Sequence, residues 1–569
     1  MIAKRLVLAG VATMMMASLA QELVAEPNNE GSGKVKHVLL LSIDGMHAVD
    51  FYNCRRGIAG VNGGEPYCPN LAALGWTGIN YVAASSSKPS DSAPGLAALV
   101  TGGTPKSTGI YYDVAYDRSL DPPTITTGTG LAGGKCTPYG EPTGTTTDYD
   151  QGVDLDDTKL NGGAPGAGLT EGGIASLDPK KLVRDPRKGC APVYPWNFVR
   201  TNTIFGAVHA AGGYTAWIDK HPSTSFVLGP GGRSVDDFYA PEVDSNVVAL
   251  PGVTTPEGVS CATIPDGSSL SGWNNSFANI QCYDTIKVNA LLNQIAGKTH
   301  DGAPAVTPEV FGMNFQALYT GEILVEAGVG TGGYQNAAGL PTTELLSEIE
   351  FVDTSIGEIV HALKHAGIYD STLIIITAKH GMSPIDPSRF AANPSNTPAT
   401  LLGPAIPPSE SPLTPGGIGA TEDDVSVLWL AKGESVTSAV QLLENNAAAI
   451  GLGQLFYGAS LALNYNVGGV RPAEDPRSPD IIVTPNVGVT YIGPGSAVGD
   501  HGGFAHDDTN VILLVAHPCF TPQTVSAPTA TAQVAPTILK ALGLDPKALD
   551  AVRIEGTAVL PEVASQLEK

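Results

Sequence analysis

The chain has 569 residues and a formal charge of −24, with 31 Lys and Arg against 55 Asp and Glu. That length suits one large α/β domain with insertions or more than one average domain, and 42% hydrophobic against 15% charged residues excludes overall disorder. So anionic a surface repels phosphate backbones and excludes nucleic-acid polymers as partners, while one local site still suffices for a small phosphorylated substrate.

The N-terminus predicts a secretory signal over residues 1–25. Lys4 and Arg5 precede the apolar run Leu6 to Leu19, with cleavage sites after Ala20 or Ala25. The run is too short for a membrane span, and no later stretch is long enough either. The expected location is therefore secreted or periplasmic, with no membrane span after cleavage. Seven cysteines in an exported chain predict disulfides. Proximity in the chain pairs Cys54 with Cys68, Cys136 with Cys190 and Cys261 with Cys282, leaving Cys519 over. No C-x-x-C pair offers a thiolate zinc site or a redox motif.

Past a polar leader, His37 to Ile43 is an unbroken apolar run, as in a strand buried on both faces of a parallel sheet. It delivers Asp44-Gly45 at its end, which is either a ligand at a sheet edge or a turn-forming pair. Lys88 to Asp113 follows. Pro94 fits the first turn of a helix, so Ser92 stands at or just before an N-terminus whose free N–H groups favour negative charge. There a serine is a helix cap or a nucleophile toward a phosphoryl group.

Residues 120–195, 223–305 and 390–418 are loop-rich and read as insertions into one catalytic domain spanning 26–569. Between them, Tyr214 to Ile218 predicts a strand that delivers Asp219-Lys220-His221-Pro222. Val310 to Phe315 and Thr372 to Thr377 are further strands, the second leading into Lys379-His380-Gly381. Thr342 to His365 predicts a long amphipathic helix. Strands at Val425 to Leu430, Asp480 to Val483 and Val511 to Val515 and a helix at Thr531 to Leu542 complete the pattern. Strands alternating with helices predict a mostly parallel central sheet covered on both faces. Asp44, His380 and His501 follow strands or lie in a Gly-rich loop near them, so one sheet edge gathers carboxylate and imidazole ligands suited to zinc or another divalent metal.

These motifs together resemble the alkaline phosphatase superfamily, in its type I phosphodiesterase/nucleotide pyrophosphatase branch. Asp44-Gly45 is similar to the branch's opening metal-binding strand. Ser92-Ala93-Pro94-Gly95 through Val100-Thr101-Gly102 resembles its T-F-P-N…V-T-G nucleophile segment. Gly109-Ile110-Tyr111-Tyr112-Asp113 resembles its G-I-x-x-N, His380-Gly381-Met382 its H-G-M, and His501-Gly502 its late H-G. The resemblance implies an alkaline-phosphatase-like fold and hydrolysis of phosphodiester or pyrophosphate bonds through a covalent intermediate on Ser92. It implies a metal held by Asp44, Ser92, His380 and His501, and an oxyanion-stabilising role at Asp113.

Two departures alter that expectation. Lys379 stands where the family has an aspartate, and the D-x-x-x-H pair after the middle strand is missing, with Asn314-Phe315-Gln316 in its region. One divalent ion, zinc before others, is expected rather than two, with Lys379 stabilising charge beside it. Asp219 and His221 are candidates for the missing ligands or for proton transfer. The rival reading is a degenerate member that binds a ligand or partner in the same cleft. A sulfatase or a phosphomonoesterase is a weaker rival, and for the sulfatase Leu96 occupies the place of the arginine in its C/S-x-P-x-R.

Overall fold

The computed structural model describes residues 35–148, 174–243 and 274–567, apart from 394, 412–413, 415–419, 466–467 and 493–496. The signal segment, the leader and Cys261 lie outside the described residues.

The architecture is built on a central sheet of eight strands. In chain order these are β1 (His37–Ile43), β2 (Ile79–Tyr81), β3 (Ala216–Ile218), β4 (Asp237–Tyr239), β5 (Val310–Phe315), β6 (Thr372–Thr377), β7 (Leu513–Ala516) and β8 (Gln523–Val525). They lie in the order β8-β2-β7-β6-β1-β5-β3-β4. β1 pairs in parallel with β5 and β6, and β3 in parallel with β5 and β4. Only β7 runs against its neighbours β6 and β2. The parallel half therefore sends the ends of β1, β3, β5 and β6 to a single edge.

The apolar runs explain both faces. Leu39, Leu41 and Ile43 of β1 belong to one hydrophobic cluster, and Val38 and Leu40 to another, as alternation across a strand requires. The first cluster is covered by α1 (Ala48–Arg56), α3 (Phe277–Ile295) and α4 (Thr343–His365). The second is covered by α2 (Ser92–Thr101) and α5 (Val534–Ala541). α4 buries Leu345, Ile349, Val352, Ile356, Ile359 and Leu363, one stripe at helical spacing, and starts where the Thr342 hydroxyl accepts from the Leu345 N–H.

Two details differ from the sequence reading. Ser426–Leu428 and Ile481–Pro485 pair with each other in a separate four-stranded sheet and not in the central one. An apolar run of that length fits either sheet, and the choice depends on distant partners. Residues 223–305 also contribute β4 and α3 to the core, so that stretch is not wholly an insertion. Disulfides join Cys54 to Cys68 and Cys136 to Cys190, Cys282 is disulfide-bonded, and Cys519 is free and exposed.

Candidate active site

Ser92 is the first residue of α2, and its buried side chain meets residues that follow β3 and β6. The close approach depends on Gly95. A Cβ there would come within 2.3 Å of the Lys379 carbonyl oxygen, so only glycine lets this helix lie against the turn after β6. The end of β1 is pinned between its neighbours, with the Asp44 N–H donating to Phe315 O at 3.1 Å and the Gly45 N–H to His380 O at 3.2 Å. Asp44, Lys379, His380 and Ser92 are thereby packed into one wall.

The geometry around the Ser92 hydroxyl is specific. Lys220 Nζ donates to Ser92 Oγ at 3.0 Å, and His380 Nε2 lies 3.3 Å from the same oxygen. His380 Nδ1 is 2.9 Å from Gly381 O, a carbonyl that can only accept, so Nδ1 carries the proton and Nε2 presents its lone pair to the serine. Burial holds the His380 imidazole well below its usual value, reinforced by the neighbouring His501, Lys220 and Lys379. Its ring stacks on His501 at 3.9 Å between centroids, and His501 Nδ1 lies 3.2 Å from Asp91 Oδ1.

Behind the serine lies a buried balance of two ammoniums and two carboxylates. Lys379 Nζ is 2.9 Å from Asp219 Oδ1 and 3.8 Å from Asp44 Oδ2, while Lys220 Nζ is 3.7 Å from Asp44 Oδ2. Neutral donors complete the acids: Asn314 Nδ2 to Asp44 at 2.8 Å, Ser42 Oγ to Asp44 at 3.3 Å and Trp217 Nε1 to Asp219 at 2.7 Å. A further buried pair, Lys287 with Asp284 at 2.9 Å, holds the turn after β5. Asp284 accepts from the Gln316 and Ala317 N–H groups, and Lys287 donates to Asn314 O at 2.7 Å.

Asp113 is beside the serine but in another role than an asparagine's. Its Oδ1 accepts the Ala93 N–H at 2.5 Å, and its own N–H donates to Asp91 Oδ2 at 2.6 Å. A carboxylate here occupies one free N–H of the helix start and offers no donor to an oxyanion. His221 points its Nδ1 at Glu242 Oε1, 2.7 Å away, and lines a cavity of about 320 Å³ beside Lys220.

Residues 38–147 and 329–504, together half of the chain, match the profile of the type I phosphodiesterase / nucleotide pyrophosphatase family. The chain belongs to this family. It is accordingly a phosphoric ester hydrolase. An inactive form of murine ectonucleotide pyrophosphatase / phosphodiesterase 5 in complex with AMP is 13% identical, covers 90% of this chain and 96% of its own, and superposes with a TM-score of 0.51. The human protein of the same name is 13% identical over 89% of this chain and 95% of its own, with a TM-score of 0.47. At this identity the murine likeness shows the fold. No curated protein matches the chain.

The match to the phosphodiesterase family leaves out residues 148–328, which carry Asp219, Lys220, Asn314 and Gln316. These residues set the electrostatics of the site, and they do not fit the metal that the family resemblance implies. Among the described residues two groups of three potential ligand side chains bring their atoms within 4.8 Å of one another, and Asp44, His380 and His501 form neither. Asp44 already answers two ammoniums and an amide, His380 Nε2 faces the serine, and His501 Nδ1 faces Asp91. A dication against Asp44 would stand beside Lys220 and Lys379, whose charges occupy its place. Around Ser92 the described side chains instead form a Ser–His–Lys arrangement with Asp44 beside both lysines.

Of the two groups that do gather, Asp121, Cys136 and Cys190 has its sulfurs in a disulfide. The other, His47, Asp50 and Glu322, is a chemically intact set of possible ligands lying behind the H-G-M turn, where His47 Nε2 is 2.7 Å from Met382 O.

Lys220, Asn314 and Gln316 were missed as site residues from sequence. The available signal was Lys220 itself, a lysine between an acid and a histidine at a buried strand's end, repeating the Lys379-His380 pattern on another strand of the same edge.

Proposed function

We propose that this chain is an exported phosphodiesterase that attacks its substrate with Ser92, using His380 as general base and Lys220 as electrostatic stabiliser. One observation carries the reading: Ser92 Oγ lies between the Lys220 amine at 3.0 Å and the His380 Nε2 at 3.3 Å. A hydroxyl so placed loses its proton toward the base while its growing charge meets a cation. The two disulfides between described cysteines suit an oxidising compartment, and no helix of the described residues is long and apolar enough to cross a membrane. The AMP held by the murine relative favours a small phosphorylated substrate over a polymer.

In the first half-reaction Ser92 Oγ forms a bond to phosphorus as the bond to the departing alcohol oxygen breaks. The serine proton moves to His380 Nε2, the departing alkoxide takes a proton from water, and the hydroxide so formed takes the proton from His380, which is neutral again. Lys220 sits where it offsets the charge of the serine oxygen and of the adjoining phosphoryl oxygens. In the second half-reaction a water gives its proton to neutral His380 and attacks phosphorus. The Oγ–P bond breaks, and the Ser92 oxygen takes that proton back from His380. Lys379 acts one shell further out, keeping Asp44 and Asp219 from drawing Lys220 away from the serine.

A 4-nitrophenyl alkylphosphonate tests the assignment, because it phosphonylates the nucleophile and then stalls. One equivalent of nitrophenol and one adduct on the peptide containing Ser92 are expected. Ser92→Ala should take no label. Ser90→Ala should keep it, since Ser90 Oγ is engaged with Asp508 O at 2.5 Å. Equal labelling of wild type and Ser92→Ala would overturn the assignment.

A further inference from the structure

We propose that His47, Asp50 and Glu322 together bind one divalent transition-metal ion, which braces the turn after His380 and takes no part in the chemistry of Ser92. Its binding does not depend on the Ser92 assignment.

The chain gathers these side chains just past the end of β1. His47 is the residue before α1 and Asp50 lies in its first turn, so the His47 N–H and Nδ1 both meet Asp50 Oδ2, at 2.9 and 2.8 Å. Glu322 comes from the short helix Ala317–Ile323 that follows β5, and Tyr334 from the strand Tyr334–Asn336. Glu322 packs against Gly45, where a Cβ would come within 1.9 Å of its Oε2. All four side chains are buried.

The close contacts outnumber the protons that could make them. His47 Nδ1 lies 2.8 Å from Asp50 Oδ2, 3.2 Å from Glu322 Oε1 and 2.9 Å from Tyr334 OH. The same hydroxyl is 3.0 Å from both Asp50 oxygens and 2.8 Å from Glu322 Oε1. A single phenol proton and at most a single proton on Nδ1 serve all of these. Glu322 Oε2 is buried and has no hydrogen-bond partner among the described residues. Neither carboxylate forms an ion pair with a described lysine or arginine, and His47 is the only basic side chain beside them. Two buried carboxylates against one imidazolium leave a negative charge, whereas a dication with a neutral imidazole balances both.

The donor set suits such an ion. An imidazole with two carboxylates and no thiolate fits zinc. Zinc bonds of about 2.0–2.2 Å space tetrahedral ligand atoms about 3.3–3.6 Å apart, so the contacts around Nδ1 need widen by less than about 1 Å. Glu322 closes the coordination through both oxygens, which answers the orphaned Oε2. His47 Nε2 is 2.7 Å from Met382 O and 2.9 Å from Met382 N. The carbonyl can only accept, so a proton on Nε2 is held there in place of the N–H contact, and Nδ1 is left for the ion. The ion is thereby tied to the residue two positions after His380.

Zinc alone is the probe, added to protein dialysed against a chelator. Wild type should take up about one ion per chain at these side chains, and zinc should raise its melting temperature without changing turnover by the folded enzyme. Crystals of the zinc-loaded wild type should show anomalous scattering between His47 Nδ1, Asp50 and Glu322, a result that needs no variant. Glu322→Gln should lose both the ion and the stabilisation. Tyr334→Phe keeps the three ligands and should weaken binding by about 10–100-fold. An anomalous peak only at Asp44, His380 and His501, no peak at all, or a Glu322→Gln protein that binds zinc as tightly as wild type would overturn the site.

Discussion

Lys220 donates to Ser92 across 3.0 Å from a residue 128 positions further along the chain. The contact joins the end of β3 to the start of α2, and it brings an amine onto the oxygen that the sequence singles out as nucleophile. Lys220→Met should lower kcat by about 10²–10³-fold, the usual loss when one preorganised charge contact to a reacting oxygen is removed. Lys220→Arg should recover only part of it, because a planar fork cannot take the ammonium's place over one hydroxyl. Steady-state kinetics on a 4-nitrophenyl phosphodiester at matched folded concentration checks both. An unchanged kcat in Lys220→Met would remove the lysine from the mechanism.

The buried charge balance gives a stability prediction. Lys379 and Asp44 are fully buried, so Lys379→Met leaves a carboxylate without its counter-ion and should cost about 3–5 kcal/mol. Adding Asp44→Asn should recover part of that loss, since the double variant restores neutrality. Urea unfolding of the three proteins measures it, and a double variant less stable than the sum of the singles would contradict the balance. Lys379→Asp reverses the charge and should create an affinity for one divalent ion, read by elemental analysis after dialysis.

How much of this was legible in the chain differs from residue to residue. β1, β5 and β6 occupy the spans that their unbroken apolar runs indicate, because a strand buried on both faces has no alternation to misplace. Ser92 is placed by Pro94 and the apolar run behind it, and the structure agrees with a helix starting there. What stayed hidden depends on direction after a strand end. Asp219, Lys220 and His221 are consecutive, yet they face Lys379, Ser92 and Glu242 respectively, and no local pattern assigns those faces. Asp113 shows the limit of resemblance: one atom's change from amide to carboxylate turns a donor into an acceptor, and it then binds the Ala93 N–H.

The acid side of the pH profile should be displaced. His380 must be neutral to accept the serine proton, and burial with neighbouring positive charge holds its pKa well below 6.5. The acid limb of kcat/KM that belongs to it therefore lies well below 6.5. His501→Phe keeps a ring in the stack, removes one of the depressing charges and should move that limb upward. The same depressed group links to stability with a defined sign. Its contribution is present above pH 6.5 and is lost as pH falls from 6.5 toward the folded value, because the unfolded chain takes the proton first. Urea midpoints at pH 7.5 and 5 should fall further for wild type than for His380→Asn.

The cysteines give a compartment test. With Cys54–Cys68 and Cys136–Cys190 closed and Cys282 also bonded, thiol titration of denatured, unreduced protein should find about one reactive group, from Cys519. Six or seven free thiols would contradict both the bridges and export.

The most direct test of the central claim is turnover of bis(4-nitrophenyl) phosphate by protein dialysed against a chelator, compared with Ser92→Ala prepared identically. The charges of Lys220 and Lys379 predict that the metal-depleted wild type keeps its activity, and the Ser92 assignment predicts that the variant folds and loses several orders of magnitude. A wild type that is inactive until zinc is returned, or a Ser92→Ala variant as active as wild type, would contradict the account.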